Sequence, residues 1–207
     1  MLFRSAARQD VQRLRARSSA IVTGIGTVLM DDPAMNVRLN ASQLRNVEPV
    51  RQPLRVVLDS GLRMSPRARM LGLPGDTLVL TVSEDAERQQ TLRDAGAEVV
   101  ALAAGNERAA PLTVLQELAR REVNEVLLEC GPTLAGAFVT AGLVDELVLY
   151  LAPHLMGDDA RGLFRLPGLE NMQQRVALQW IDQRSVGNDL RLVARFSPLG
   201  DRTRATE

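Results

Sequence analysis

The chain has 207 residues, a length typical of one domain with its own core. Its 45% hydrophobic and 24% charged residues exclude wholesale disorder, and its 25 basic residues balance 25 acidic ones, which disfavours nucleic acid or a membrane surface as partner. Every basic residue is arginine, which excludes Schiff-base chemistry, and one cysteine with one histidine provides neither an internal disulfide nor a typical zinc site. With no membrane-spanning apolar run and no signal-peptide pattern, we expect a cytoplasmic protein without a metal.

The first two thirds of the chain alternate between helical and strand-like patterns. The predicted helices cover 6–17, 84–95, 111–121 and 133–141, and the predicted strands cover 20–23, 54–58, 77–81, 98–101 and 125–129. A polar, proline-bounded stretch over 40–52 predicts a surface loop. Because strands separated by helices of this length form right-handed βαβ units, the pattern predicts an α/β fold with a mostly parallel central sheet flanked by helices.

The final third predicts strands over 146–151, 178–184 and 190–196, with a turn at 187–189 between the last two. This region is expected to form an antiparallel edge. No linker divides the chain, so we predict one domain over 1–207, with an atypical start at 1–5 and a polar tail at 198–207.

The most informative segment is 129–137, Glu-Cys-Gly-Pro-Thr-Leu-Ala-Gly-Ala. A strand ends at Glu129, and the glycine and proline that follow are typical of a tight turn and a helix start. The free N–H groups of such a helix start favour a phosphate. The alternative is that Gly131 and Pro132 only begin a helix, while Gly136 allows close packing. The local pattern supports both interpretations about equally.

Other candidates are weaker. Gly24-Ile25-Gly26-Thr27 predicts a second glycine turn, with Asp31 close behind it, and a plain turn is the preferred interpretation. Ser60 follows a strand at an edge where α/β sheets bind ligands, or it caps a turn. Arg15 and Arg38 carry the planar donors that match phosphate, against an arginine-rich background. Cys130 and His154 suggest a catalytic pair, but a buried cysteine is the preferred interpretation.

Taken together, these segments resemble the reductase domain of the bifunctional riboflavin-biosynthesis deaminase/reductase. The resemblance runs from about residue 6 to residue 196 in family order and spacing. Its motifs are Asp10-Val11-Gln12-Arg13-Leu14-Arg15-Ala16, segment 25–33, Val37-Arg38, segment 52–60, segment 129–137, segment 143–147 and segment 157–163.

The resemblance implies a dihydrofolate-reductase-like fold and NADPH-dependent reduction of the ribosyl group of 5-amino-6-(5-phosphoribosylamino)uracil, a phosphorylated pyrimidine, to a ribityl chain. It names no catalytic side chain. The residues that it implies for NADPH are Thr27, Asp31, Ser60, Gly131, Pro132, Thr133, Leu134, Ala135, Gly136 and Ala137. Those that it implies for the substrate are Arg15, Met35, Arg38 and Glu129.

Two parts of the family pattern have no counterpart in the sequence: the zinc deaminase half, and the first strand of the reductase domain with its following loop. We expect a deaminase domain to be encoded upstream. The alternative hypothesis is a truncated, non-catalytic nucleotide-binding remnant. The resemblance and the exposed edge that the last strands would form also predict a homodimer, joined through the C-terminal β region.

Overall fold

The computed structural model describes residues 5–45, 48–102, 108–157 and 159–196. The helices are α1 (Ser5–Arg17), α2 (Ile25–Asp31), α3 (Ala41–Leu44), α4 (Ala86–Asp94), α5 (Pro111–Arg120) and α6 (Pro132–Thr140). The strands are β1 (Ala20–Gly24), β2 (Leu54–Leu58), β3 (Thr77–Thr81), β4 (Glu98–Ala101), β5 (Val126–Leu128), β6 (Glu146–Leu151), β7 (Leu178–Val186) and β8 (Asp189–Phe196). Short 3₁₀ helices cover Arg69–Gly72 and Met172–Gln174. None of the helices described is long and apolar enough to cross a membrane.

Five parallel strands form the first sheet, in the order β4-β3-β2-β1-β5. Its central strands are apolar runs such as Ala20-Ile21-Val22 and Leu78-Val79-Leu80, and all six of these side chains are fully buried. Such runs are typical of strands covered on both faces. One face packs against residues that include Met70 and Leu92, and the other against Leu118 and Phe138. The core therefore lies on both sides of this sheet.

Three antiparallel strands form a second sheet, in the order β6-β8-β7. Helix α1 connects to it through Asp10, which accepts a 2.6 Å hydrogen bond from the Tyr150 hydroxyl and lies 2.9 Å from Arg191. Burial and the Asp10 carboxylate raise the pKa of Tyr150 to about 12, so the phenol remains a donor at neutral pH. These contacts hold the second sheet beside the first helix.

The α/β fold class with a mostly parallel central sheet is confirmed, and four strands have the predicted bounds. The antiparallel strands form a sheet of their own, not an edge of the parallel sheet as predicted. Two local predictions are wrong. The predicted glycine turn after β1 is helix α2, because Gly24 is extended and Ile25 and Val28 turn one helical face into the core. The predicted loop over 40–52 contains helix α3, which Asn40 and Gln43 stabilise as a capping box. The predicted tail over 198–207 lies outside the described residues.

Candidate functional site

The carboxyl ends of the parallel strands bring most of the candidate cofactor residues to one edge of the first sheet. Gly24 pairs with Leu58 across β1 and β2, and Val22 pairs with Leu128 across β1 and β5. The segments that follow these strands therefore start at the same level. They carry Thr27 in α2, Ser60 after β2, and residues 131–137 at the start of α6. Open α/β sheets bind ligands at this edge.

Helix α6 begins with an uncapped turn. Gly131 is its N-cap residue and makes no side-chain cap, and Pro132 is the first helical residue. The N–H groups of Thr133 and Leu134 have no intrahelical partner by position. A Cβ atom placed on Gly131 or on Gly26 would meet nothing within 4 Å, whereas one on Gly24 would touch Leu134 at 3.4 Å. The helix start is therefore open to a ligand that carries negative charge.

Gly136 has a packing role. A Cβ atom at this position would overlap the carbonyl oxygen of Arg165, and the Arg165 N–H donates a 2.9 Å hydrogen bond to the carbonyl of Pro132. The absence of a side chain lets the segment around Arg165 lie directly on α6. For Gly136 the packing interpretation from the sequence is therefore supported, while Gly131, Thr133 and Ala137 remain exposed.

Arg15 and Glu129 form a bidentate ion pair between α1 and the end of β5. Arg15 Nε and Nη2 donate to the two carboxylate oxygens of Glu129 at 2.8 and 2.6 Å, and Arg15 Nη1 donates to the Asn36 carbonyl at 3.1 Å. The two side chains are 13% and 26% exposed. The carboxylate thus neutralises most of the charge of Arg15 and holds its guanidinium in place.

Segment 35–38 carries the other two candidate substrate residues. Arg38 is exposed, and no hydrogen bond or ion pair of its side chain to the described residues is recorded. Met35 is 2% exposed, packs in the core and has a φ of +44°. A ligand contact by Met35 would therefore use its backbone, and the predicted role of this residue remains a prediction.

The sequence-based interpretation missed two glutamines that hold this segment. The side-chain oxygen of buried Gln12 accepts a 2.6 Å hydrogen bond from the Arg38 N–H. The Gln52 amide accepts from the Val37 N–H at 2.9 Å and donates to its carbonyl at 3.2 Å. The spacing of Gln12 and Arg15 places them on one face of α1 and could have identified the first glutamine. Gln52 begins one of the segments that carry the family resemblance, but its residue type and spacing indicate no role.

A buried carboxylate shapes the turn that carries Ser60. Asp59 is fully buried, and its Oδ2 atom accepts a 2.8 Å hydrogen bond from the Met64 N–H. The Ser60 carbonyl accepts from the Thr81 hydroxyl at 3.3 Å, which leaves the half-buried Ser60 side chain at the edge. Strand periodicity marks Asp59 only as the residue after β2, so this role also escaped the sequence.

A cleft of about 1040 Å³ connects three of the four candidate substrate residues, Arg15, Arg38 and Glu129. Arg15, Arg38, Glu129, Cys130 and Ala135 line it. Thr27, Asp31, Ser60 and Met35 do not. Apart from Met35, which lies in the core, the candidates therefore divide into those that line the cleft and those along the carboxyl edge of the sheet, and the two groups meet at the start of α6.

Cys130 lies at this meeting point. Burial raises the pKa of its thiol to about 12, and a backbone hydrogen bond from Ala135 opposes this only in part. The thiol is therefore protonated at neutral pH and is a poor nucleophile. His154 is exposed. These observations support the interpretation of Cys130 as a packed thiol.

The first sheet is parallel, the helix start at its carboxyl edge is open, and a cleft runs along its β5 side. These features define an α/β protein with a candidate ligand site at the carboxyl edge of its sheet. The model for the family described as the RibD C-terminal domain matches residues 2–192. The chain belongs to this family.

Individual relatives agree with this assignment. The chain is 42% identical to the riboflavin biosynthesis protein RibD of Escherichia coli (strain K12), over 89% of the chain and 50% of that protein. It is 27% identical to the 5-amino-6-(5-phosphoribosylamino)uracil reductase of Buchnera aphidicola subsp. Acyrthosiphon pisum, over 90% of the chain and 91% of that protein. It superposes on Acinetobacter baumannii RibD, form 2, with a TM-score of 0.81 at 36% identity. The superposition covers 95% of this chain and 52% of that protein. The fold is thus dihydrofolate-reductase-like, and the chain spans about half the length of the curated RibD relatives it matches.

Proposed function

We propose that the chain carries the reductase activity that the Buchnera relative is named for, and reduces the ribosyl group of 5-amino-6-(5-phosphoribosylamino)uracil to the ribityl product with NADPH. The observation that carries this proposal is the exposed Arg38 side chain in a cleft beside the Arg15–Glu129 pair. A guanidinium without an internal counter-ion is available for a phosphate, and the paired carboxylate is available for hydroxyl or amino groups of a sugar or pyrimidine.

The open edge supports a dinucleotide cofactor. The uncapped start of α6 and the bare Gly26 and Gly131 fit a diphosphate, because free N–H groups and the helix dipole favour negative charge there. Ser60 and Thr27 offer hydroxyls along the same edge, and Asp31 offers a carboxylate for ribose. NADPH, when bound, supplies the hydride. The choice of NADPH over NADH is part of the proposal, as the resemblance implies.

The protein would act mainly by orientation. Gln12 and Gln52 hold the backbone of segment 35–38, which places Arg38 at the cleft. Glu129 holds the guanidinium of Arg15 directly. Fixing an anionic substrate beside the cofactor edge lowers the entropic cost of reaching the reactive geometry. No catalytic side chain is assigned.

Three further predictions concern the partners and the location of the protein. A deaminase domain encoded upstream, a homodimer and a cytoplasmic location remain predictions. The part of the RibD relatives that lies outside the matched half supports the first. The exposed strand β7, with Trp180 and Ile181 facing solvent, supports the second.

The test measures NADPH oxidation with the deaminated phosphoribosyl pyrimidine as substrate. The loss of nicotinamide absorbance reports the rate. Turnover that is lost in Arg38→Ala and retained in Arg120→Ala, an exposed arginine outside the cleft, would support the proposal. Cofactor binding without turnover would favour the alternative, a non-catalytic nucleotide-binding remnant. Absence of both binding and turnover would contradict both functions.

A further inference from the structure

A second cavity lies at the opposite end of the first sheet from the carboxyl edge. It has a volume of about 500 Å³ and is lined by residues of the second half of α1 and of helix α3 with its C-cap. Because α1 ends at Arg17 and β1 begins at Ala20, this cavity is next to the amino ends of the strands. It is therefore separate from the proposed reductase site.

Three arginine side chains line this cavity, and no acidic residue of the described chain lines it. Arg13 and Arg17 are four positions apart in α1 and so lie on one face of that helix, while Arg45 is the C-cap residue of α3. Arg15, between the first two in sequence, lies on the other side of α1, where it pairs with Glu129. Helix α1 thus presents a second arginine face to the cavity.

Only one of these three charges has a counter-ion among the described residues. Arg17 Nε lies 2.7 Å from Glu125 Oε1, and the two side chains of that pair are 65% and 42% exposed. No hydrogen bond or ion pair of the Arg13 and Arg45 side chains to the described residues is recorded. The other nearby carboxylate, Glu48, accepts a hydrogen bond from the N–H of the first residue of α3, at the far end of that helix. Three guanidinium charges and one paired carboxylate leave about two positive charges at the cavity.

The local backbone fixes the α3 side of the cavity. Arg45 has a φ of +54°, in the left-handed region, and its N–H donates to the Ala41 and Ser42 carbonyls. Gln43 Oε1 accepts from the Asn40 N–H in the capping box, which leaves the side-chain N–H groups of Gln43 as donors on the cavity wall. These contacts set the position from which the Arg45 side chain extends and add an amide donor beside it.

We propose that this cavity binds a small organic phosphate, a phosphate monoester. Planar guanidinium groups match phosphate oxygens, and a monoester carries about two negative charges at neutral pH, which equals the charge that lacks a counter-ion. A bound anion would also relieve the repulsion between Arg13 and Arg17. The volume is within the range of small-molecule sites, and Ala16 and Leu44 offer apolar contact to an organic group. The balanced charge of the whole chain disfavours a nucleic acid as the source of the phosphate.

The probes are phenyl phosphate and phenyl sulfate, which have similar shapes and differ by about one charge at neutral pH. The titrations use the Arg38→Ala variant, so that the proposed substrate site does not contribute to phosphate binding. We expect calorimetry at about 0.15 M salt to show saturable binding of phenyl phosphate, with phenyl sulfate bound several-fold more weakly. Inorganic phosphate should also bind more weakly than phenyl phosphate, because it lacks the group that contacts Ala16 and Leu44.

Two further substitutions in the Arg38→Ala protein test the cavity itself. Arg13→Gln keeps a good helix former, and Arg45→Asn introduces a residue that tolerates positive φ, so both proteins should fold. Each should bind phenyl phosphate about five- to tenfold more weakly. Arg120→Ala, which removes an exposed arginine outside the cavity, should leave the affinity unchanged. If either variant does not fold, shifts of the Leu44 amide resonance during titration of the parent protein still decide.

Four results would each overturn the proposal. They are absence of saturable binding in Arg38→Ala, equal affinity for phenyl phosphate and phenyl sulfate, unchanged affinity in both cavity variants, and tighter binding of inorganic phosphate than of phenyl phosphate. Failure of the reductase assay would contradict the proposed function alone, because the titration depends on other residues and measures no turnover.

Discussion

Arg15 and Glu129, 114 positions apart in the chain, form a two-pronged ion pair whose N–O distances are 2.6 and 2.8 Å. The pair joins α1 to the carboxyl end of β5 and lies in the wall of the cleft. A second pair, Arg17 with Glu125, joins α1 to the residue before β5 at the surface, at 2.7 Å. The two pairs have comparable N–O distances and differ in exposure, 13% and 26% against 65% and 42%.

This difference predicts unequal effects on stability. Glu129→Gln should lower the free energy of unfolding by about 1–3 kcal/mol, because it leaves the mostly buried Arg15 without its counter-charge. Glu125→Gln should change it by less than about 0.5 kcal/mol, because water screens the exposed pair. Urea denaturation of both variants measures the two values. Equal losses would show that Glu129 is held no more firmly than a surface carboxylate.

Arg38 and Ser60 should affect different ligands. Arg38→Ala should weaken substrate binding roughly ten- to hundredfold and leave NADPH binding nearly unchanged, since a charge-assisted contact contributes about 1.5–3 kcal/mol. Ser60→Ala should weaken NADPH binding only. Titration calorimetry of each variant with each ligand gives four affinities, and Arg120→Ala serves as the control. Unchanged substrate affinity in Arg38→Ala would leave this arginine as an ordinary surface residue.

Gly131, the N-cap residue of α6, and Gly136, in the middle of the helix, should respond differently to the same methyl group. Gly136→Ala should lower the free energy of unfolding by about 1–3 kcal/mol, because the new Cβ would overlap the Arg165 carbonyl. Gly131→Ala should leave stability nearly unchanged, because its Cβ would meet nothing within 4 Å, but should weaken NADPH binding by narrowing the approach to the helix start. Thermal unfolding and cofactor titration separate the two effects. A stable Gly136→Ala protein would contradict the packing role.

Cys130 should make the protein less stable in alkali. Its folded-state pKa of about 12 lies above the ordinary value of 9.0, so the thiol remains neutral in the folded chain while it ionises in the unfolded chain. The corresponding stability is complete below about pH 9 and is lost as the pH rises towards 12. Cys130→Ala should therefore show a smaller decline of unfolding free energy over this range, and iodoacetamide should alkylate the native thiol slowly at neutral pH. Parallel declines in both proteins would contradict the raised pKa.

Self-association should occur through β7. Leu178, Trp180 and Ile181 are 39%, 59% and 47% exposed on this strand, which pairs only with β8 within the described residues. Because Trp180 is the only tryptophan, its emission should shift to shorter wavelength as the protein concentration rises. Trp180→Asp should give a monomer by light scattering. Arg120→Asp, on the exposed part of α5, should not change the mass. A wild-type protein that is monomeric at micromolar concentration would count against this surface.

The sequence predicts the strands well where an apolar run is bounded by residues that end strands. β2, β3, β4 and β6 have the predicted bounds, because apolar runs of four to six residues end at Gly, Asp or Pro neighbourhoods. It fails at α2, whose seven residues include Gly26 and Thr27 and are too few to show a helical period. For the site, the positions of Gly131, Ser60 and Arg38 at strand or loop ends were visible, but their mutual placement was not.

By itself, then, the sequence determined the α/β class, the mostly parallel sheet implied by the alternation of strands and helices, and a family resemblance that the comparisons confirm. These properties depend on residues near one another in the chain. The tertiary structure decided the remaining features: the pairing of Arg15 with Glu129, the packing of Gly136 on Arg165, the hold of Gln12 on Arg38, and the separation of β5 from β6. Each of these joins segments from 26 to 114 residues apart or opposes two strand edges, and such contacts exist only once the sheets have set the distances between them.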